Sequence, residues 1–217
     1  MAIKPILFNT EMVKAILEGR KTQTRRLIKP QPTSMLTLMP YRKWGSTSQM
    51  HVWTPPAYAG YVLWVRETWA PFCINKNTCR NVLLSHDCDC YKAGPDVCVD
   101  EYGCKWHPSI HMPKEAARIF LRVTGVRTER LHDMTDRDAE KEGIGNLYLE
   151  DVGFGDKDYG CMKYLECEVG LTGLQLEQFA HLWDSTIKKD DLPCYGWEAN
   201  PWVWVIEFER TEQQTPF

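Results

Sequence analysis

The sequence predicts an α+β protein: a small curved sheet, or β-barrel, with flanking helices. Three observations point there. Residues 119–131 and 202–210 read as strands, the first with Phe120, Arg122, Thr124 and Val126 alternating with Leu121, Val123, Gly125 and Arg127. Stripes at helical spacing are confined to three stretches, each separated from the others by strand or turn signals. Hydrophobic residues make up 43% of the 217 positions and charged residues 25%, enough apolar surface for one sizeable core.

Residues 4–8 form a short apolar run, a first strand. Thr10 is placed to N-cap a helix whose Met12, Val13, Ile16 and Leu17 make one buried stripe, and Gly19 to end it in the left-handed conformation. Residues 22–28 read as extended, stopped by Lys29-Pro30-Gln31-Pro32. Residues 29–59 hold five prolines and little periodicity, which predicts a long surface loop. Tyr61-Val62-Leu63-Trp64-Val65 is a strand, left through Arg66-Glu67-Thr68-Trp69. Thr135 with Asp138 makes a capping box for a short helix running to Gly143. Residues 172–187 predict an amphipathic helix with Leu176, Phe179, Leu182 and Trp183 inward. In the last strand Trp202, Trp204, Ile206 and Phe208 share one face; Val203, Val205, Glu207 and Glu209 take the other. One domain over 1–217 is expected, interrupted by a Cys-rich insertion at about 71–112 and an acidic, Gly-rich insertion at about 144–171.

No apolar run approaches the ~18 residues of a membrane span, so no membrane partner is expected. Met1-Ala2-Ile3-Lys4-Pro5 lacks the apolar region of an export signal, so a cytoplasmic protein with reduced thiols is expected. The net charge of −3 hides an asymmetry: residues 1–43 carry nine Lys or Arg against Glu11 and Glu18. A basic front on an acidic body suits either a solvated face or an anionic partner.

The densest chemical signal is Gly19-Arg20-Lys21-Thr22-Gln23-Thr24-Arg25-Arg26, in which four cations fall within seven residues after a helix end. Such a run can complement the helix dipole or attract phosphate without chemistry. It can also hold a nucleophile, since a lysine desolvated by burial takes the proton of a nearby threonine hydroxyl.

The pattern Gly19-x-Lys21-x4-Arg26 directly after a first helix resembles the signature of the ASCH family, and residues 135–142 and 203–208 resemble that family's helix and closing strand. The resemblance implies a compact β-barrel of the PUA-like, RNA-binding type. Compact bacterial members hydrolyse N4-acetylcytidine with a lysine, a threonine and a glutamate, which by motif matching fall on Lys21, Thr24 and Glu142. Leu63-Trp64-Val65-Arg66-Glu67-Thr68-Trp69, residues 108–113, Leu182-Trp183-Asp184-Ser185 and residues 200–205 resemble a longer phage- and prophage-encoded branch. The compact family covers about half the chain; the phage-like stretches are spread over most of it. Arg25 beside Thr24 makes the segment more basic than a neutral nucleoside requires, tilting the expectation toward a phosphate-bearing ligand.

The resemblance therefore implies a phage-type protein of the host bacterial cytoplasm whose basic pocket takes a nucleoside, nucleotide or RNA. Lys21, Thr24 and Glu142 are its candidate catalytic residues. Arg20, Arg25, Arg26, Glu67 and Trp69 are candidate ligand contacts, although Glu67 equally suits an ion pair with an arginine. Amide hydrolysis of an N4-acylated cytosine by this set requires no cofactor. The competing expectations are a non-catalytic RNA-binding module and a ribonuclease on the same fold. His111 and the tryptophans suit core packing as well as a pocket wall.

Cys73, Cys79, Cys88, Cys90, Cys98 and Cys104 fall within 32 residues. That density suits a structural zinc ion, with Cys88, Cys90, Cys98 and Cys104 as the preferred ligands, but no pair has the Cys-x2-Cys spacing of a zinc knuckle. Reduced, partly buried loop thiols are the other reading.

Overall fold

The computed structural model describes residues 2–40, 43–46, 49–70, 90–94, 106–144 and 174–211. Ten strands and four α-helices lie within them: β1 (Ile3–Leu7), α1 (Thr10–Leu17), β2 (Gln23–Leu27), β3 (Thr37–Met39), β4 (Lys43–Ser46), β5 (Gln49–Trp53), β6 (Val62–Arg66), β7 (Trp69–Ala70), β8 (Cys90–Tyr91), β9 (Phe120–Arg130), α2 (Asp136–Lys141), α3 (Leu174–Ser185), α4 (Leu192–Tyr195) and β10 (Trp202–Thr211). The main sheet has five strands in the order β1-β6-β9-β10-β2, with β1 and β2 outermost among the described residues. The protein is thus mixed α+β, with few helices.

The chain divides into two compact units. One contains Met1–Gly19, Ala57–Gly125 and Phe208–Phe217; the other contains Arg20–Pro56 and Val126–Glu207. In the first, β1 pairs in parallel with β6, and β6 antiparallel with β9. Leu63, Val65, Leu121 and Val123 are all at most 2% exposed and form the buried face of this half-sheet. Helix α1 buries Val13, Ala15 and Ile16. Its N-cap is Asn9 rather than the expected Thr10: both types can cap, and the Asn9 side chain accepts from Met12 N at 2.8 Å, which starts the helix one residue earlier in the cap count. Gly19 closes it with φ 78°, as its position predicts. A second cluster gathers Trp64, Trp69, Met112, Ala116, Ala117 and Phe120.

In the other unit β10 pairs antiparallel with β2, Trp204 opposite Arg26 and Ile206 opposite Thr24. Both faces of β10 are buried from Trp202 to Ile206. On one face Val203 and Val205 pack with Leu131, Met134, Ala139, Phe179 and Trp183, the last two from α3. The inward residues expected of α3 therefore divide: Phe179 and Trp183 are buried, Leu176 and Leu182 half-buried.

Residues 29–59 are not a loop. They carry a three-stranded antiparallel sheet, β3-β4-β5, with Trp44 opposite Trp53. The five prolines sit before, between and after these strands rather than within them, so none removes a ladder hydrogen bond. Trp44 and Trp53 supply the buried side, at 8% and 3% exposure, and Trp44 meets Trp204 edge-on at 5.2 Å. The expected insertions lie largely outside the described residues. Of the first, Ala70 pairs with Cys90 and Trp69 with Tyr91, and Ser109–His111 make a short 3-10 turn with His111 exposed. The second falls outside almost entirely. No helix of the described residues is long and apolar enough to cross a membrane.

Candidate functional site

The cationic segment leaves α1 at Gly19 and is fastened to the C-terminal end of α2. Arg20 Nη1 donates to Gly143 O at 2.7 Å, Thr22 N to Lys141 O at 2.8 Å, and Lys21 Nζ to Glu142 O at 2.7 Å. What holds α2 in place is its N-terminus. The Thr135 hydroxyl accepts from Asp138 N and the Asp138 carboxylate accepts from Thr135 N, so two otherwise orphaned donors are satisfied. Glu142 follows as C-cap, and Gly143 turns the chain away at φ 89°.

Lys21 and Glu142 thus meet across 121 residues of sequence, Nζ to Oε2 at 2.6 Å. Near a helix C-terminus a glutamate is ordinarily exposed, but this one is 4% exposed. Its second oxygen takes Arg25 Nη1 at 3.0 Å. Arg25 also donates through Nε and Nη2 to Glu129 Oε1, at 3.0 and 2.5 Å. Glu129 in turn receives Arg127, which reaches Glu207 as well. Gln23 Nε2 donates to Asp138 O at 2.9 Å, leaving the buried Gln23 Oε1 without a partner.

These contacts follow from strand alternation. Gln23, Arg25 and Leu27 share the β2 face covered by α2 and α3; Thr24 and Arg26 lie on the other, with Trp204 and Ile206 as cross-strand neighbours. Thr24 is 1% exposed, and its hydroxyl oxygen accepts from Arg26 Nη1 at 3.1 Å. Accepting from a cation leaves the hydroxyl hydrogen available for a base.

Burial sets the electrostatics. It pushes the Lys21 ammonium below its ordinary value; the charge and hydrogen bond of Glu142 oppose that shift without cancelling it, and Arg26 and Arg25 add to it. Burial lowers Arg26 too, against the pull of Glu142. Burial alone would raise Asp138, but donation from Thr135 and Gln23 together with the Arg25 charge brings it below the usual carboxylate range. Arg25 holds one oxygen of Glu142, so the carboxylate does not stabilise the Lys21 ammonium alone.

Of the expected ligand contacts, Arg25 belongs to this network: its side chain is fully sealed and its donors end on Glu129 and Glu142. Glu67 and Trp69 stand apart from it. Glu67, in the first unit, is 1% exposed and both its oxygens are taken by Arg118, each at 2.9 Å. That arginine lies 51 residues away in sequence. Trp69 is 9% exposed, its indole N–H buried and unpartnered. Of the four preferred metal ligands, Cys88, Cys98 and Cys104 lie outside the described residues, and Cys90 is described through its backbone pairing with Ala70. Among the described residues no group of three or more His, Cys, Asp or Glu side chains could hold a metal ion.

Sequence reasoning passed over Glu129 and Gln23. Each had a signal: Glu129 is an acid on a strand beside Arg127, and Gln23 an uncharged polar residue in a cationic run, two positions from Lys21 and two from Arg25.

Fold and site together define a mixed α+β protein with a sealed network of cations and carboxylates at the junction of an edge strand and a short helix. No family model and no curated protein matches the chain. Among solved structures, the crystal structure of an ASCH domain from Lactobacillus crispatus JV V101 aligns with 98% of this chain and 81% of its own, at 11% identity and a TM-score of 0.37.

Proposed function

We propose that the chain is an ASCH-type protein of the PUA-like barrel class, of phage or prophage origin, working in the bacterial cytoplasm on a nucleoside, nucleotide or RNA, and that Lys21, Thr24 and Glu142 hydrolyse an N4-acylated cytosine. The observation that carries the reading is the sealed 2.6 Å contact between Lys21 and Glu142, two residues that the motif alone pairs. Neutral Lys21, favoured by burial, accepts the Thr24 proton while Thr24 Oγ bonds to the acyl carbon. Collapse of the adduct breaks the bond to N4, and the cytosine amine leaves with the proton carried by Lys21. Water then cleaves the acyl-threonine ester, releasing the carboxylate. Glu142 orients the lysine throughout, and Arg26 draws charge toward the threonine oxygen.

The test is loss of N4-acetylcytidine absorbance on mixing with purified protein. Turnover disappears in Thr24→Ala and Lys21→Ala and persists in Thr24→Ser, which keeps the nucleophile. Equal turnover in wild type and Thr24→Ala removes the mechanism. One observation favours a second reading, a non-catalytic RNA-binding module: at 1% exposure Thr24 sits where substrate must displace something to reach it. That reading expects salt-dependent RNA binding weakened by Arg26→Ala, with neither turnover nor cleavage of labelled RNA.

A further inference from the structure

We infer that Arg66, with the aromatic and apolar surface around it, forms a second anion site in the first unit, one that takes a phosphate of a nucleotide, free or within single-stranded RNA. Arg66 ends β6, half-buried, its guanidinium held 4.8 Å above the Trp64 ring. Among the described residues it has no carboxylate and no hydrogen-bond acceptor, and its Nε is buried without a partner. Two other arginines of the same unit are treated differently: Arg118 is forked onto Glu67, and Arg122 donates to Glu209. A partly desolvated guanidinium left unpaired is costly, and an oxyanion that accepts from it relieves that cost. A second unsatisfied donor, the Trp69 indole N–H, lies in the packed cluster that contains Trp64.

The ground beside Arg66 suits a nucleotide better than a bare ion. In the parallel β1–β6 register Ile3, Pro5 and Leu7 stand opposite Val62, Trp64 and Arg66. Ile3, Pro5 and Leu7 are all exposed, Leu7 at 45%, while Ile6 between them is buried. A phosphate on Arg66 would therefore have an apolar strip within reach of its sugar or base. The site uses no residue of the Lys21 network and stands whether or not Thr24 is a nucleophile.

The full chain is titrated with cytidine 5′-monophosphate and with a fluorescein-labelled ten-nucleotide uridine RNA. Arg66→Met should weaken binding about tenfold, as loss of a charge-assisted hydrogen bond does, and reduce the slope of log affinity against log salt by about 0.7, the value for one phosphate of a single strand. Arg66→Lys keeps charge and stem but loses the fork, and should fall between the two. Trp69→Phe, which keeps the ring and removes the N–H, should weaken binding less than Arg66→Met. Arg122→Ala, whose arginine is already paired, should bind as wild type. Binding of the monophosphate identifies the free nucleotide as the source; binding of the oligonucleotide alone identifies RNA. The inference is overturned if wild type binds neither probe, or if Arg66→Met and Arg66→Lys both keep wild-type affinity and salt slope.

Discussion

Glu142 and Glu67 are both sealed carboxylates, yet they are satisfied in different ways. Glu67 gives both oxygens to one guanidinium, Arg118, in a two-pronged fork; Arg118 is 29% exposed and stacks over Tyr91 at 4.1 Å. Glu142 gives one oxygen to Lys21 and the other to Arg25, and both of those side chains are fully sealed. The fork closes a pair and leaves no group poised for proton transfer. The split arrangement holds a lysine beside a carboxylate whose charge is shared with a competing cation, so Glu142 opposes but does not cancel the downward push of burial on the Lys21 ammonium. The nature of the partners, more than depth of burial, separates a stabilising carboxylate from one suited to chemistry.

The sharpest way to break the comparison is to remove each carboxylate. Glu142→Ala strands the sealed Lys21 ammonium and leaves Arg25 to Glu129, and should cost about 3–5 kcal/mol in urea unfolding. Glu67→Ala strands a single arginine that can turn toward water, and should cost clearly less. Equal losses would mean that the two sites differ in appearance only.

The lysine gives a pH signature. Because its folded value lies below the ordinary 10.5, the unfolded chain holds a proton that the folded chain has released between those two values. Stability from this group therefore rises with pH across that window, with a slope of at most about 1.4 kcal/mol per pH unit. Asp138 acts in the opposite range: lowered in the folded state, it contributes above 3.8, and that contribution is lost as pH falls through its folded value. Lys21→Met should flatten the alkaline rise and Asp138→Asn the acid limb, both read as unfolding midpoints against pH. A wild-type alkaline profile superimposable on that of Lys21→Met would show that the lysine is not desolvated.

A smaller effect tests what places Glu142. Thr135→Ala removes the N-cap of α2 and should cost about 1 kcal/mol. If α2 holds the carboxylate in register, the hydrolysis of N4-acetylcytidine proposed for this site should fall with it, although the Thr135 side chain bonds Asp138 and neither Lys21 nor Glu142.

Much of this was legible in the sequence because local chemistry agreed with the fold. The Thr135–Asp138 box, Gly19 at the end of α1 and the strand-forming runs of β9 and β10 are short-range signals that tertiary contacts did not override, although β10 is buried on both faces from Trp202 to Ile206. The β3-β4-β5 sheet was hidden because β3 is exposed along its whole length and so carries no alternation; its signal was the pair of tryptophans, Trp44 and Trp53, nine residues apart. The charge asymmetry was visible, but its use was not. Lys21 and Arg25, from the basic front, are neutralised by Glu129 and Glu142 of the acidic remainder. Part of what reads as a surface for an anionic partner is an internal contact between segments over a hundred residues apart, which no local pattern announces. Gln23 and Glu129 escaped for the same reason: the role of Gln23 exists only once β2 and α2 have met, and that of Glu129 only once Arg25 of β2 reaches β9.

The smallest predicted effect bounds the comparison from the other side. Arg122 and Glu209 also form an ion pair, but their side chains are 55% and 48% exposed. Water screens the attraction and two long side chains lose freedom to make it, so Arg122→Ala should shift stability by no more than about 0.5 kcal/mol. Its urea midpoint should stay within error of wild type at low and high salt alike. Were Arg122→Ala to cost as much as Glu67→Ala, partner geometry would lose its claim to rank these carboxylates, and the contrast between Glu67 and Glu142 would need another cause.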